Sequence, residues 1–270
     1  MKSIGAPLLA LVALVATPVL TTPALAGEAS VLDPSYVVEL QFGAGVQPTY
    51  PGSRFYRPVP VPGISVRRSD EPVRFSAPDD GFGVPIVDSS GLRLGPVGNI
   101  VVPRWRTHEE LIGLHKVRPA VEIGGFAEYF PVDSLRMRIE VRRGVYGHDG
   151  VVATGGADYV TSSDRFTFSI GPRVDVGSAA WTRTYFGVKP FEALRNGQVY
   201  AFEGTGGVAA VGALSTMRVN VSEDWSATAY GGLKRLTGSA AASPIPTVLG
   251  SRSQLTAGLL LARSFTVGPF

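Results

Sequence analysis

The sequence predicts an all-β protein: an antiparallel transmembrane β-barrel of about 12 strands, formed by residues 27–270 after a signal peptide over residues 1–26. Three observations carry this. The first is composition. Of 270 residues 44% are hydrophobic, only 17% are charged and 33 are Gly, a combination foreign to soluble globules and to disordered chains. The second is the absence of any candidate spanning helix. Crossing as a helix takes about 18 or more consecutive apolar residues, whereas in the mature chain the longest uncharged runs, 204–217 and 236–251, are shorter and are broken by Gly, Ser, Thr or Pro. The third is a recurring period of two.

In chain order, the first element is an address. Lys2 supplies a positive n-region, Leu8 to Val15 an apolar h-region, and Ala24-Leu25-Ala26 a small-residue cleavage site, so the mature chain is expected to begin at Gly27. Pro7 and Pro18 argue against a retained helical anchor. The lack of Cys excludes a disulfide scaffold, a thiolate zinc site, a cysteine nucleophile and a lipidated cysteine. A formal charge of +3 with no Lys/Arg block gives no footing for nucleic-acid binding.

The alternation is plainest over 134–142, where Leu135, Met137, Ile139 and Val141 share one face and Arg136, Arg138, Glu140 and Arg142 the other. It returns at 36–46, 166–176, 211–221 and 255–265, in runs of 9–12 residues. Ordinary globular strands have about five or six residues, and tilted membrane strands about 9–11. Twelve candidate strands result: 36–46, 54–66, 71–77 with its continuation, 91–103, 118–129, 134–143, 150–160, 165–177, 181–189, 204–220, 225–236 and 254–265. Ten strands with a folded loop over 66–92 is the alternative. Tyr36, Tyr129, Phe130, Tyr159, Phe166, Trp181, Tyr185, Trp225 and Phe265 fall near strand ends, where interfacial girdles sit. An even count returns both termini to the periplasm. The connections at 190–203 and 237–253 are then extracellular, 220–224 is a short periplasmic turn, and the turn carrying His148 is placed on the periplasmic side.

Lumen-facing parity gathers Glu122, Glu128, Arg136, Arg138, Arg142, Arg173 and Asp175. With a turn at 131–133, Glu128 faces Arg136 and Glu122 faces Arg142; a two-residue slip would set Glu128 against Arg138. The set reads either as cross-bracing of the interior or as a charged constriction for solutes. No catalytic, cofactor or metal site is expected. His108 and His115 are seven residues apart rather than the four of a zinc-binding helix, in what reads as a solvated loop, and His148 sits in a Gly-His-Asp-Gly turn. There is no nucleophile elbow, P-loop or dinucleotide fingerprint, and no histidine has a serine neighbour at a strand position.

Gly43-Ala44-Gly45-Val46 with Pro48-Thr49-Tyr50-Pro51-Gly52-Ser53, the stretch Pro119 to Tyr129, and Arg142-Arg143-Gly144 with Gly147-His148-Asp149-Gly150 form an ordered series. It continues through Gly156-Ala157-Asp158-Tyr159, Gly171-Pro172-Arg173, Tyr185-Phe186-Gly187-Val188, Arg235 to Ala240, Ser243-Pro244-Ile245 and Gly250-Ser251. Together these resemble the MipA/OmpV family of Gram-negative outer-membrane proteins. The resemblance implies a non-enzymatic outer-membrane barrel, in contact with outer-membrane lipid, that scaffolds a lytic transglycosylase and a peptidoglycan synthase. It supplies no catalytic residue. One departure is that the last strand is expected to finish at Phe265, five residues before the end, so its assembly signal is internal or differently spaced. Two function classes therefore stand: a scaffold, and a narrow channel for small polar solutes.

Overall fold

The structure, a computed structural model, describes residues 35–268 other than 72 and 105–108. The leader at 1–26, His108 and Phe270 lie outside the described residues. Strands β1 (Tyr36–Pro48) and β2 (Tyr56–Arg68) are followed by two short ones, β3 (Phe82–Gly83) and β4 (Val87–Ser89). Then come β5 (Leu92–Val101), β6 (Ala120–Val132), β7 (Leu135–Tyr146), β8 (Val151–Ser162) and β9 (Phe166–Gly177). The last three are β10 (Gly207–Asn220), β11 (Trp225–Leu236) and β12 (Ser253–Val267). All twelve belong to one antiparallel sheet, ordered β2-β1-β12-β11-β10-β9-β8-β7-β6-β5-β3 with β4 also on β5, and curled into a barrel.

Parity decides which side chain meets lipid. On β12, Leu255, Leu259, Leu261 and Phe265 are exposed while Leu260 and Ala262 are buried inside. The same alternation on β7 exposes Met137, Ile139 and Val141 and buries Arg136, Glu140 and Arg142. Inward glycines make room for bulk: Tyr230 lies across Gly45 and Gly258, where an added Cβ would come within about 2.5 Å of the ring. Trp225, Phe265 and Arg263 form a belt at one rim, with the guanidinium 5.4 and 4.9 Å from the two ring centres.

Two expected strands take other forms. Residues 181–189 alternate as a strand would, yet they fold into helix α1 (Ala179–Phe186), because the Ser178 hydroxyl caps the Trp181 N–H at 3.3 Å. Residues 71–77 are not a strand either. Ten antiparallel steps separate β2 from β3, so the two run in the same direction, and the chain must return the length of the barrel between Arg68 and Phe82. It does so through the lumen. Arg74 pairs with Asp88 at one end, Phe75 lies under Arg136, and Gly81 N–H reaches Glu140 before Phe82 joins the wall opposite Gly98.

No ladder joins β2 to β3 among the described residues. Pro58, Pro60 and Pro62 share one parity, and their nitrogens carry no hydrogen. Since the β1 ladder is continuous through all three, the donor-free edge faces away from β1. That half of the open edge therefore has no N–H to strand in lipid.

Both sheet termini and the short turns 133–134, 163–165 and 221–224 share one end of the barrel, the periplasmic one by the length rule for outer-membrane barrels. The opposite end carries 49–55, 102–104, 109–119, 147–150, 178–206 and 237–252. The His148 turn thus belongs with the long extracellular connections. The expected periplasmic position followed from counting 71–77 and 181–189 as wall strands. These connections hold α1, α2 (Pro190–Asn196) and α3 (Gly238–Ala242), and they fold over the mouth around Tyr50, Leu111, Leu114, Phe186, Ile245 and Leu249.

Leu259, exposed near the middle of β12, should not tolerate charge. In lipid vesicles Leu259→Arg is expected to lower unfolding free energy by about 2–4 kcal/mol in a denaturant titration, and the rim substitution Phe265→Arg by about 0–1 kcal/mol.

Candidate functional site: the charged lumen and its cap

The β6–β7 hairpin builds the centre of the site. An irregularity between Tyr129 and Val132 lets the chain turn over Asp133-Ser134, so Glu128 stands opposite Arg138 and Glu122 opposite Gly144. This is the slipped register, yet the side chains make the unslipped pairs as well. Arg136 reaches Glu128 at 2.7 Å, and Arg142 reaches Glu122 at 3.1 Å.

Arg136 is 1% exposed and is held from three directions. Besides Glu128, its guanidinium meets Asp158 on β8 at 3.1 Å and Asp80 of the lumen segment at 2.5 Å. Arg138 lies 4.0 Å from the Phe126 ring centre and pairs with Glu140 at 2.8 Å and Glu128 at 3.4 Å. Arg142 also contacts Glu140 and the Thr154 hydroxyl. Arg173 pairs with Asp158 at 2.8 Å and Asp79 at 3.0 Å, and Asp175 with Lys234 at 2.9 Å. All seven lumen residues singled out from parity therefore face inward and are paired. Between Asp79, Asp80, Arg136, Arg138, Arg173 and Lys234 lies a cavity of about 40 Å³, room for a few waters. Nearer the periplasm, Arg218 of β10 grips Glu39 of β1 at 2.5 and 3.1 Å.

His148 closes this layer from above. Its ring is buried; Gly150 N–H donates to Nδ1 at 3.1 Å, which leaves the hydrogen on Nε2 to donate to Glu122 at 3.0 Å. The ring meets Tyr185 edge-on at 5.6 Å. The turn histidine is thus a buried strut. In the cap, Arg104 is 2% exposed and donates to the Tyr185 carbonyl at 2.7 Å; burial pulls its pKa down to about 10, so it stays charged at neutral pH. His115, itself half-buried, pairs with the buried Glu192 at 3.1 Å, so it is tied into the cap rather than free in a solvated loop. Burial acts to raise the Glu192 carboxyl, but the Lys189 N–H and His115 outweigh it and hold the group below its ordinary value. Neither His115 nor His148 bonds to a serine side chain, and among the described residues no cluster of His, Asp and Glu is placed to hold a metal.

The family of MltA-interacting protein MipA matches residues 40–265, from the first strand to the last. The chain belongs to the MipA family. Among solved structures this MipA-family barrel is similar to an outer membrane channel from Pseudomonas putida F1, at 8% identity and a TM-score of 0.43 over 89% of this chain and 100% of that one. It is similar to the NanC porin at 9% identity and 0.37 over 84% and 98%, and to Neisserial surface protein A at 11% and 0.26 over 85% and 96%. No curated protein matches it. The MipA-family barrel resides in the outer membrane, its alternating strands turning one apolar face to lipid.

Parity alone missed the carboxylates that complete the network. Asp79 and Asp80 lie in the stretch expected to continue the third strand, and Asp158 faces the lumen on a strand whose inward charge was not singled out, whereas Glu140 already shared the polar face of β7 with its arginines. An unbalanced surplus of inward arginine on β7 was the available signal.

Arg136→Ala is expected to cost about 3–5 kcal/mol in denaturant unfolding, since it strands buried carboxylates. Adding Glu128→Gln and Asp158→Asn should recover much of that loss. In the cap, the Glu192 contribution is present above the ordinary carboxyl value and is lost as pH falls through the depressed one. Amide protection factors over 190–196, referenced to the intrinsic exchange rate at each pH, should therefore stay high at neutral pH and fall once pH drops below the ordinary carboxyl range, and Glu192→Gln should lower them at neutral pH.

Proposed function

We propose that this MipA-family protein is a non-enzymatic outer-membrane adaptor whose periplasmic turns hold peptidoglycan-remodelling enzymes. The observation that carries the reading is the filled lumen: every inward arginine of β7 and β9 is neutralised by carboxylates from the wall and from the segment 69–81, under an apolar cap. A solute path needs unpaired, hydrated groups along its length, and here those groups are spent on one another. The family description, MltA-interacting protein, supports a murein enzyme as partner, with a lytic transglycosylase and a peptidoglycan synthase as the classes to test. With the His148 turn at the extracellular end, the contact surface falls to the turns 133–134, 163–165 and 221–224.

Photo-crosslinkers at Asp133, Asp164 and Glu223 should recover a transglycosylase or a synthase from cells, and one at Gln198 in the cap should not. Recovery of neither enzyme from any periplasmic position would remove the adaptor reading. In planar bilayers the purified barrel should stay at baseline conductance; steady ion conduction would favour a channel for small polar solutes.

A further inference from the structure

At the extracellular rim, on the outer wall of the barrel, a pocket of about 380 Å³ is lined by Arg235, Arg252, Thr247, Ser251, Ser253 and Pro246. The β11–β12 ladder places it there: Arg235 pairs in register with Ser253, and both share the parity of lipid-facing Leu233 and Leu255. Neighbouring Lys234 turns inward to Asp175, but Arg235 has no carboxylate within ion-pair distance among the described residues, and neither does Arg252. Arg252 donates only Nε, to the Ala241 carbonyl at 2.9 Å, which leaves its terminal nitrogens without an acceptor among the described residues. Two guanidinium groups and three hydroxyls thus line one concavity with no anion of the chain's own. Guanidinium forks fit phosphate oxygens two at a time; of the hydroxyls, Thr247 and Ser251 already donate to the Ser243 and Ser253 carbonyls, which leaves the Ser253 hydroxyl to donate to a further oxygen.

Depth and neighbours specify the source of the phosphate. Tyr56, an exposed aromatic on β2, accepts the Leu255 N–H at 3.4 Å, the placement of a residue at headgroup level. Immediately below, Leu233, Leu255 and Leu259 present an apolar column to the bilayer. We infer that this pocket binds the phosphate of a phosphorylated glycolipid of the outer leaflet, with the acyl chains lying against that column.

The test uses the purified full chain in a zwitterionic detergent, titrated with a diphosphorylated acylated glucosamine disaccharide, its dephosphorylated counterpart, and inorganic phosphate. Wild type should prefer the phosphorylated lipid over both other probes. Arg235→Ala and Arg252→Ala should each weaken that binding by about ten-fold, and Arg263→Ala at the periplasmic rim should leave it unchanged. Heat-modifiable electrophoretic mobility confirms that each variant is folded, and Arg235→Ala, which removes an exposed side chain, serves if Arg252→Ala is not. Unaltered affinity in the folded arginine variants would overturn the inference. So would equal binding of the dephosphorylated lipid, and inorganic phosphate binding as tightly as the lipid would remove the lipid as the ligand.

Discussion

The guanidinium of Arg136 depends on three carboxylates from three separate stretches of chain: Glu128 across the hairpin, Asp158 on the next strand, and Asp80 from the segment that climbs the lumen. A charge shut away from water is tolerable only with close partners. Once the hairpin places Arg136 inside, the rest of the network is constrained. Asp158 is shared with Arg173, which takes Asp79; Glu128 is shared with Arg138, which takes Glu140; Glu140 is shared with Arg142, which takes Glu122. His148 then donates to Glu122 and rests on Tyr185, joining the charged layer to the cap.

The lumen segment explains the strand order. Because it carries Asp79 and Asp80 to the arginines, the chain leaves β2 at the periplasmic end and re-enters the wall pointing the same way. A parallel neighbour cannot extend the antiparallel ladder. The wall has a seam there, and three prolines of one parity remove the donors that the seam would leave bare. Filling the interior and opening the sheet are two sides of one chain path.

Much of this was legible beforehand. Strands β6 to β12 carry long alternating runs in which apolar and polar parities are unmistakable, so both their existence and their inward charges could be read from residues such as Met137, Arg138 and Ile139. Over residues 69–81 the alternation of Val73, Phe75 and Ala77 favoured a strand over the folded loop that was the alternative, whereas Phe75 lies under Arg136 inside the lumen, Ala77 is buried and Val73 is exposed. The α1 segment misled for a related reason: Trp181, Arg183 and Tyr185 alternate, but Thr182 and Phe186 are buried too, a helical spacing that becomes visible only with the Ser178 cap. Those two misreadings reversed the side assigned to the His148 turn. The buried cap partners of His115, namely Arg104 and Glu192, are far apart in sequence and had no local signature.

The same lumen segment holds the barrel together where backbone hydrogen bonds do not. Strand β1 pairs with β12, more than two hundred residues along the chain, whereas β6 to β9 pair with immediate neighbours. The remaining junction, between β2 and β3, has no ladder among the described residues, and the stretch of chain that connects those two strands carries Asp80 to Arg136 and Asp79 to Arg173. The two edges of the seam are thus tied through the interior by ion pairs rather than along the wall by a ladder.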